Sequence, residues 1–252
     1  MSPPLAEQEH LRSCLRKVAL VTGGARRLGR ELALTLARSG FDVAITFRDS
    51  VAEAHENALA IQATGAHALA VPCDVRREDS VRHAIAAVTE RFGRLDLLVN
   101  NAAVFASANL GDMTLAQWDE AFETNTRGPF LMAREALPYL KASQGRIVNL
   151  GSLGGSHPWA THAHYCASKA ALEMLTQTMA KAFAPEVSVN CVAPGWIQFG
   201  EADAVAERFA AKTPMARNGR AAEVAEAVLF FATGPHFVTG QILAVDGGLG
   251  LT

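Results

Sequence analysis

Short apolar runs alternate with helix-length amphipathic stretches along almost the whole chain, and this alternation limits the fold more than any other feature. The strand-like runs are 18–21, 43–47, 68–72, 95–99, 147–150, 187–192 and 242–245. Helical patterns fill 28–38, 51–63, 80–92, 115–141, 163–184, 201–211 and 221–232. Continuously apolar strands are buried on both faces, so helices must cover both sides of the sheet. Parallel neighbours need crossover connections, which the intervening helices supply with right-handed sense. The expected architecture is a single doubly wound parallel α/β sheet of Rossmann type. No linker, repeat or low-complexity tract divides it, so 17–252 is expected to be one catalytic domain behind a mobile tail, 1–16.

Composition narrows the function classes. A formal net charge of -2 gives no field toward nucleic acid or an anionic membrane. No apolar run is long enough to span a bilayer, and the first residues lack the apolar stretch of a secretory signal. Cys14, Cys73, Cys166 and Cys191 are scattered, without metal-ligand spacing. Free thiols in a cytoplasmic protein are expected, with no metal.

The first strand runs into Thr22-Gly23-Gly24-Ala25-Arg26-Arg27-Leu28-Gly29 and then a helix. Glycines there let the backbone approach a diphosphate seated at the helix N-terminus. At the end of the second strand an acid would bind the 2′-hydroxyl of NAD. This chain has Phe47 there, followed by Arg48, Asp49 and Ser50. A guanidinium suits a 2′-phosphate, and Arg26 and Arg27 add charge beside it, so NADP(H) is the expected cofactor. Asp49 is placed to pair with Arg48.

Further motifs follow in order: Cys73-Asp74-Val75, Asn100-Asn101-Ala102-Ala103, Asn125, Ser152, and Tyr165-Cys166-Ala167-Ser168-Lys169, whose tyrosine is thirteen residues after Ser152. Together with the glycine turn, this set resembles the short-chain dehydrogenase/reductase family from about residue 17 to the end. The resemblance implies that Gly23, Leu28 and Gly29 shape the phosphate turn and that Asp74 and Val75 flank the adenine. Asn101, Ala102 and Ala103 would run under the adenosine ribose; Pro194, Gly195 and Ile197 would approach the nicotinamide; residues 241–248 match the family's final strand. It implies Asn125, Ser152, Tyr165 and Lys169 as catalytic residues. Arg27 replaces a glycine found in many members, and Ala103 another. The arginine, Phe105, residues 213–217 and residues 239–241 are similar to bacterial pteridine-reductase-like members, where the phenylalanine stacks on the pterin.

The chemistry suits these residue types. Hydride transfer to a carbonyl leaves an oxyanion that needs a proton. A phenol can give it, but its usual pKa near ~10 is high, and an ammonium one helical turn away would lower it. Ser152 can donate to the substrate oxygen, and Asn125 is expected to hold a water linking Lys169 to solvent. Phe105, Ser152, Tyr165 and Trp196 are the expected substrate contacts; Trp159 and Trp196 suit either a pocket wall or a subunit contact. His157, His162 and His164 are expected to touch substrate or nothing rather than metal. The expected reaction is NADP(H)-dependent reduction of a small carbonyl or pterin-like substrate by a homotetramer or homodimer. The alternatives are a 3-oxoacyl thioester reductase and a non-catalytic NADP(H) sensor.

Overall fold

The computed structural model describes residues 16–252. Most of the expected tail, including Cys14, lies outside these residues. Arg16, assigned to that tail, is instead anchored: its Nε lies 3.1 Å from the Asp42 carboxylate and its Nη1 donates to the Gly65 carbonyl.

Seven strands form one parallel sheet. They are β1 (Lys17–Val21), β2 (Phe41–Phe47), β3 (Ala68–Pro72), β4 (Leu97–Asn100), β5 (Arg146–Leu150), β6 (Ser188–Pro194) and β7 (Ile242–Val245). Their spatial order is β3-β2-β1-β4-β5-β6-β7. The order reverses between β1 and β4, which opens a crevice beyond the carboxyl ends of those strands, where open α/β sheets bind ligands.

Strand periodicity decides which core each residue joins. Ala19, Val21, Val43, Ile45 and Val99 face one side, under α1 (Arg27–Arg38), α2 (Val51–Gln62) and α8 (Ala221–Thr233). Val18, Leu20, Ala44, Leu98 and Ile147 face the other, under α3 (Glu78–Phe92), α5 (Gly128–Ser143) and α6 (Ala163–Phe183). The helix before β7 is followed by no further crossover, and α7 (Ala204–Lys212) stands off the sheet near the carboxyl edge of β6. Among the described residues, no helix is long and apolar enough to cross a membrane.

The helix expected over 115–141 is present, running from Leu115 to Ser143, but it is not α-helical throughout. The chain forms α4 (Leu115–Phe122), a π-helical turn over Glu123–Arg127, and then α5. Pro129 has no N–H and sits in the first turn of α5, where a missing donor costs nothing. The helix runs on through Gly128 without leaving helical dihedrals, and the extra residue is absorbed as a π turn, a device frequent at functional sites. Thr114 and Gln117 form the capping box that starts α4. The start of α7 also moves, from the expected 201 to Ala204, because the Asp203 carboxylate accepts from the Ala206 N–H at 2.8 Å and caps the helix there.

Candidate active site

The crevice is a cleft of about 1010 Å³ running across the carboxyl ends of the strands. Every site residue expected from sequence lines it except Asn125.

At one end lies the turn between β1 and α1. Gly23 has φ +63, and a β-carbon on Gly29 would overlap the Gly23 carbonyl oxygen, so both positions need glycine. Thr22 and Asn101 hold this turn against β4. The Asn101 side chain donates to the carbonyls of Thr22 at 2.8 Å and Gly23 at 3.1 Å, and the Thr22 hydroxyl accepts from the Asn101 and Ala102 N–H groups. The Asn101 amide thus fixes the turn from the cleft lining. Asn57 on α2, which carries no sequence signal, donates to the Gly24 carbonyl at 2.7 Å.

α1 begins at Arg27 with no capping side chain and no acid in its first turn. Its free N–H groups and positive dipole end are left for an anion, with Arg26 and Arg27 exposed beside them. Arg27 has φ +48, a strained conformation for an arginine. Arg48 pairs with Asp49 at 2.6 Å on the surface, as the sequence allows. Phe47 is buried, so no acid occupies the end of β2. The Asp74 carboxylate is held by Arg76 at 2.6 Å, and that hydrogen bond keeps its pKa low. Uncapped helix end, glycine cradle and basic rim fit the diphosphate of a dinucleotide. Pro194, Gly195 and Ile197 would take its other end.

Ser152, Tyr165 and Lys169 meet on the cleft floor. Ser152 follows β5, and its hydroxyl oxygen accepts from the Gly154 N–H at 3.1 Å, which fixes the side chain. The Tyr165 phenol lies beside it, close enough for the Ser152 hydroxyl to favour the phenolate. Lys169, one turn along α6, is buried; its ammonium donates to the Leu150 carbonyl at 2.6 Å and lies 5.8 Å from the Tyr165 ring centre. Burial pushes Lys169 down to about 8. For Tyr165 the structure departs from the expected lowering: burial pushes the phenol up, and the Ser152 hydrogen bond opposes this only in part. Burial is the larger cause, and Lys169, whose ammonium is turned onto the Leu150 carbonyl, does nothing to offset it. Burial also raises the Glu173 carboxyl, one further turn along α6, against the pull of Lys169.

Asn125 sits fully buried in the π turn. Its amide donates to the Val104 carbonyl at 3.1 Å and to Ser168 Oγ at 3.0 Å, and its oxygen accepts from the Val104 N–H at 2.9 Å. Its side chain is a clamp between the loop after β4 and α6.

The walls are aromatic. Phe105 stacks on His162 with ring centres 4.6 Å apart and meets Tyr165 edge-on at 4.8 Å. Trp159 lies parallel to Tyr165 at 6.0 Å. Across the cleft, Trp196 stacks on Phe209 of α7 at 4.3 Å. Both tryptophans therefore wall the pocket. Burial lowers His162, keeping it neutral, while His157 bonds the Gly250 carbonyl at 2.9 Å and lies outside the cleft lining. Phe199, Val205, Arg208 and Phe209 were not expected from sequence; an ordinary amphipathic helix with no motif carries three of them.

Comparison with known proteins agrees with this arrangement. A family profile described as Enoyl-(Acyl carrier protein) reductase matches residues 23–250. The chain is 36% identical over 242 residues to the 3-oxoacyl-[acyl-carrier-protein] reductase FabG of Staphylococcus aureus, covering 93% of this chain and 98% of that protein. It is 37% identical over 238 residues to a 3-oxoacyl-[acyl-carrier-protein] reductase of Synechocystis, covering 92% and 96%. A solved short-chain dehydrogenase/reductase from Burkholderia xenovorans superposes with a TM-score of 0.90 at 31% identity, covering 94% of this chain and 99% of that one. Acetoin dehydrogenase YohF from Salmonella typhimurium does so with a TM-score of 0.86 at 34% identity, covering 94% and 97%. Matched along nearly its whole length, the chain belongs to the short-chain dehydrogenase/reductase family and is an oxidoreductase of that type.

Proposed function

We propose that the protein is an NADP(H)-dependent reductase of small carbonyl compounds, with 3-oxoacyl thioesters as its substrate class. The observation that carries the carbonyl chemistry is the meeting of Ser152, Tyr165 and Lys169 on one cleft floor. The names of the two reductases above support the thioester, and acetoin dehydrogenase supports a small ketone.

The N-terminus of α1 with Arg26, Arg27 and Arg48 would hold the phosphates, and Gly195 and its neighbours the nicotinamide, which when bound supplies the hydride. The chain's own groups manage the oxygen. Ser152, held by Gly154, turns its hydroxyl proton toward the carbonyl oxygen and stabilises the developing charge. Tyr165 gives its proton to that oxygen. A phenol that burial keeps protonated is in the correct form for this step, so the raised pKa suits the reducing direction. Lys169, with its ammonium held on the Leu150 carbonyl one turn along α6, would orient the cofactor's ribose beside the phenol rather than lower the phenol's pKa.

A second reading is favoured by one observation: Phe105 stacks on His162 at the cleft wall and is still 56% exposed, so part of its ring is available to a flat ring such as a pterin. An NADPH-oxidation screen with acetoacetyl thioester, acetoin, diacetyl and dihydrobiopterin separates the two. Turnover of the thioester or ketones with none of dihydrobiopterin is the expected result. Tyr165→Phe should lower turnover roughly 10²–10⁴-fold while leaving NADPH affinity nearly unchanged. A Tyr165→Phe enzyme with full activity would remove the phenol from the mechanism, and no NADPH oxidation with any carbonyl would remove the reductase reading.

A further inference from the structure

The two ends of the cleft carry different charge. Its acidic lining residues are Asp49 and Asp74, both at the end beneath β2 and β3, and each is paired with an arginine at 2.6 Å. Beyond Ser152 and Tyr165, no carboxylate among the described residues lines the walls. One guanidinium does, that of Arg208 on α7.

Val205, Arg208 and Phe209 are spaced i, i+3 and i+4, so α7 turns one face into the cleft. Arg208 Cζ lies 5.9 Å from the ring centre of Phe209, which in turn stacks on Trp196. The residues one turn away on α7 are Ala204, Val205, Ala211 and Lys212, and the one acid of the helix, the adjacent Glu207, makes no ion pair with it. Among the described residues no ion pair or hydrogen bond holds its side chain, whereas Arg48, Arg76, Arg94, Arg127 and Arg217 all pair with carboxylates. A guanidinium set beside stacked rings keeps its planar fork free, and that fork matches a carboxylate or a phosphate with two parallel hydrogen bonds.

We propose that Arg208 recognises an anionic group on the substrate, so that the preferred carbonyl compound carries a carboxylate or a phosphate while its apolar part lies against Trp196 and Phe209. This rests on the carbonyl-reductase reading. A phosphate would come from the pantetheine arm of a thioester, and a carboxylate from an oxo acid.

Two matched pairs of probes distinguish the sources. Acetoacetyl-coenzyme A carries phosphates that acetoacetyl-N-acetylcysteamine lacks; 4-acetylbenzoate carries a carboxylate that its methyl ester lacks. Binding is measured by titration calorimetry on the NADP⁺-loaded protein, where no ketone is turned over and the nucleotide site is filled. At least one charged member should bind roughly 10–100-fold more tightly than its neutral partner, the usual range for a hydrogen bond to a charged group. Arg208→Gln should abolish that difference without altering the neutral partner's affinity, and Arg208→Lys should retain part of it. Absence of a preference for either charged probe in the unaltered protein overturns the proposal, as does a preference that survives Arg208→Gln. NADPH oxidation with the same four compounds is read separately: a charged probe that binds through Arg208 but is never reduced counts against the reductase reading alone.

Discussion

Arg27 holds a backbone conformation that costs an arginine free energy, at a position where the family resemblance places glycine. An L-residue at φ +48 is strained by roughly 1–2 kcal/mol, and such strain concentrates where function keeps it. Arg27→Gly releases it, offset by a loss of roughly 0.5–1 kcal/mol through the greater freedom of glycine in the unfolded chain. A gain in stability between about 0 and 1.5 kcal/mol is expected, raising the melting temperature by up to about 6 °C, together with weaker NADPH binding. A variant that melts lower, or binds NADPH as tightly, would show that the arginine is not held there for the cofactor. Lys169 makes a second residue-scale prediction through its pKa of about 8. Between about pH 8 and the ordinary lysine value the unfolded chain binds more protons than the folded one, so the lysine's contribution to stability improves as pH rises through that window. Lys169→Met removes the titration. Its melting temperature relative to the unaltered protein should be most favourable below pH 8 and should decline steadily toward pH 10.5. A pH-independent difference would place the ammonium in contact with solvent. Residues such as Lys169 were legible because their chemistry is written at fixed spacing from Ser152 and Tyr165. Arg208 and Asn57 were not, because an arginine on a short amphipathic helix and an asparagine on another look like solvated surface until the fold turns them inward.

At the scale of elements, the glycine turn, the uncapped start of α1 and the strand runs follow directly from sequence, since apolar runs bounded by turn residues leave few options. The π turn between α4 and α5 did not, because apolar periodicity continues across it and hides the one extra residue before Pro129. That π turn places Asn125 where it can bond both edges of the Val104 peptide and Ser168. The clamp joins the end of β4 to α6, and so ties the loop carrying Phe105 to the helix carrying Tyr165 and Lys169. Asn125→Ala leaves the buried partners unsatisfied, a cost of about 3 kcal/mol. The melting temperature should fall by roughly 6–12 °C, and the Val104 amide should lose protection in hydrogen exchange before the strands of the sheet do. Unchanged protection at Val104 would mean that the loop is held by its own packing and that the clamp contributes little.

At the scale of the whole molecule, the sheet is covered on both faces from β2 to β6, while β7 leaves Ile242 and Leu243 exposed at its edge, and apolar side chains also remain on the outside of the helices that flank the site. Leu115 of α4 is 81% exposed, Phe130 of α5 42% and Met174 of α6 63%, and a groove lined by Phe122, Phe130 and Leu175 runs beside the π turn. These are the helices whose sequences carry more apolar positions than one sheet face needs. Large exposed apolar patches on soluble chains mark association surfaces, and homo-oligomers bury them through closed symmetry, a two-fold dimer or a dihedral tetramer. Light scattering at micromolar concentration is therefore expected to give a mass two or four times the 26.8 kDa of the chain. Phe130→Glu, which sets a charge in the middle of the surface without touching either core, should shift the mass toward that of one chain with the circular dichroism unchanged. Because α4, the π turn and α6 also support Val104, Tyr165 and Lys169, the dissociated variant should lose turnover along with its partner. A monomeric unaltered protein, or a Phe130→Glu variant that keeps its oligomeric mass, would assign these side chains no role in assembly.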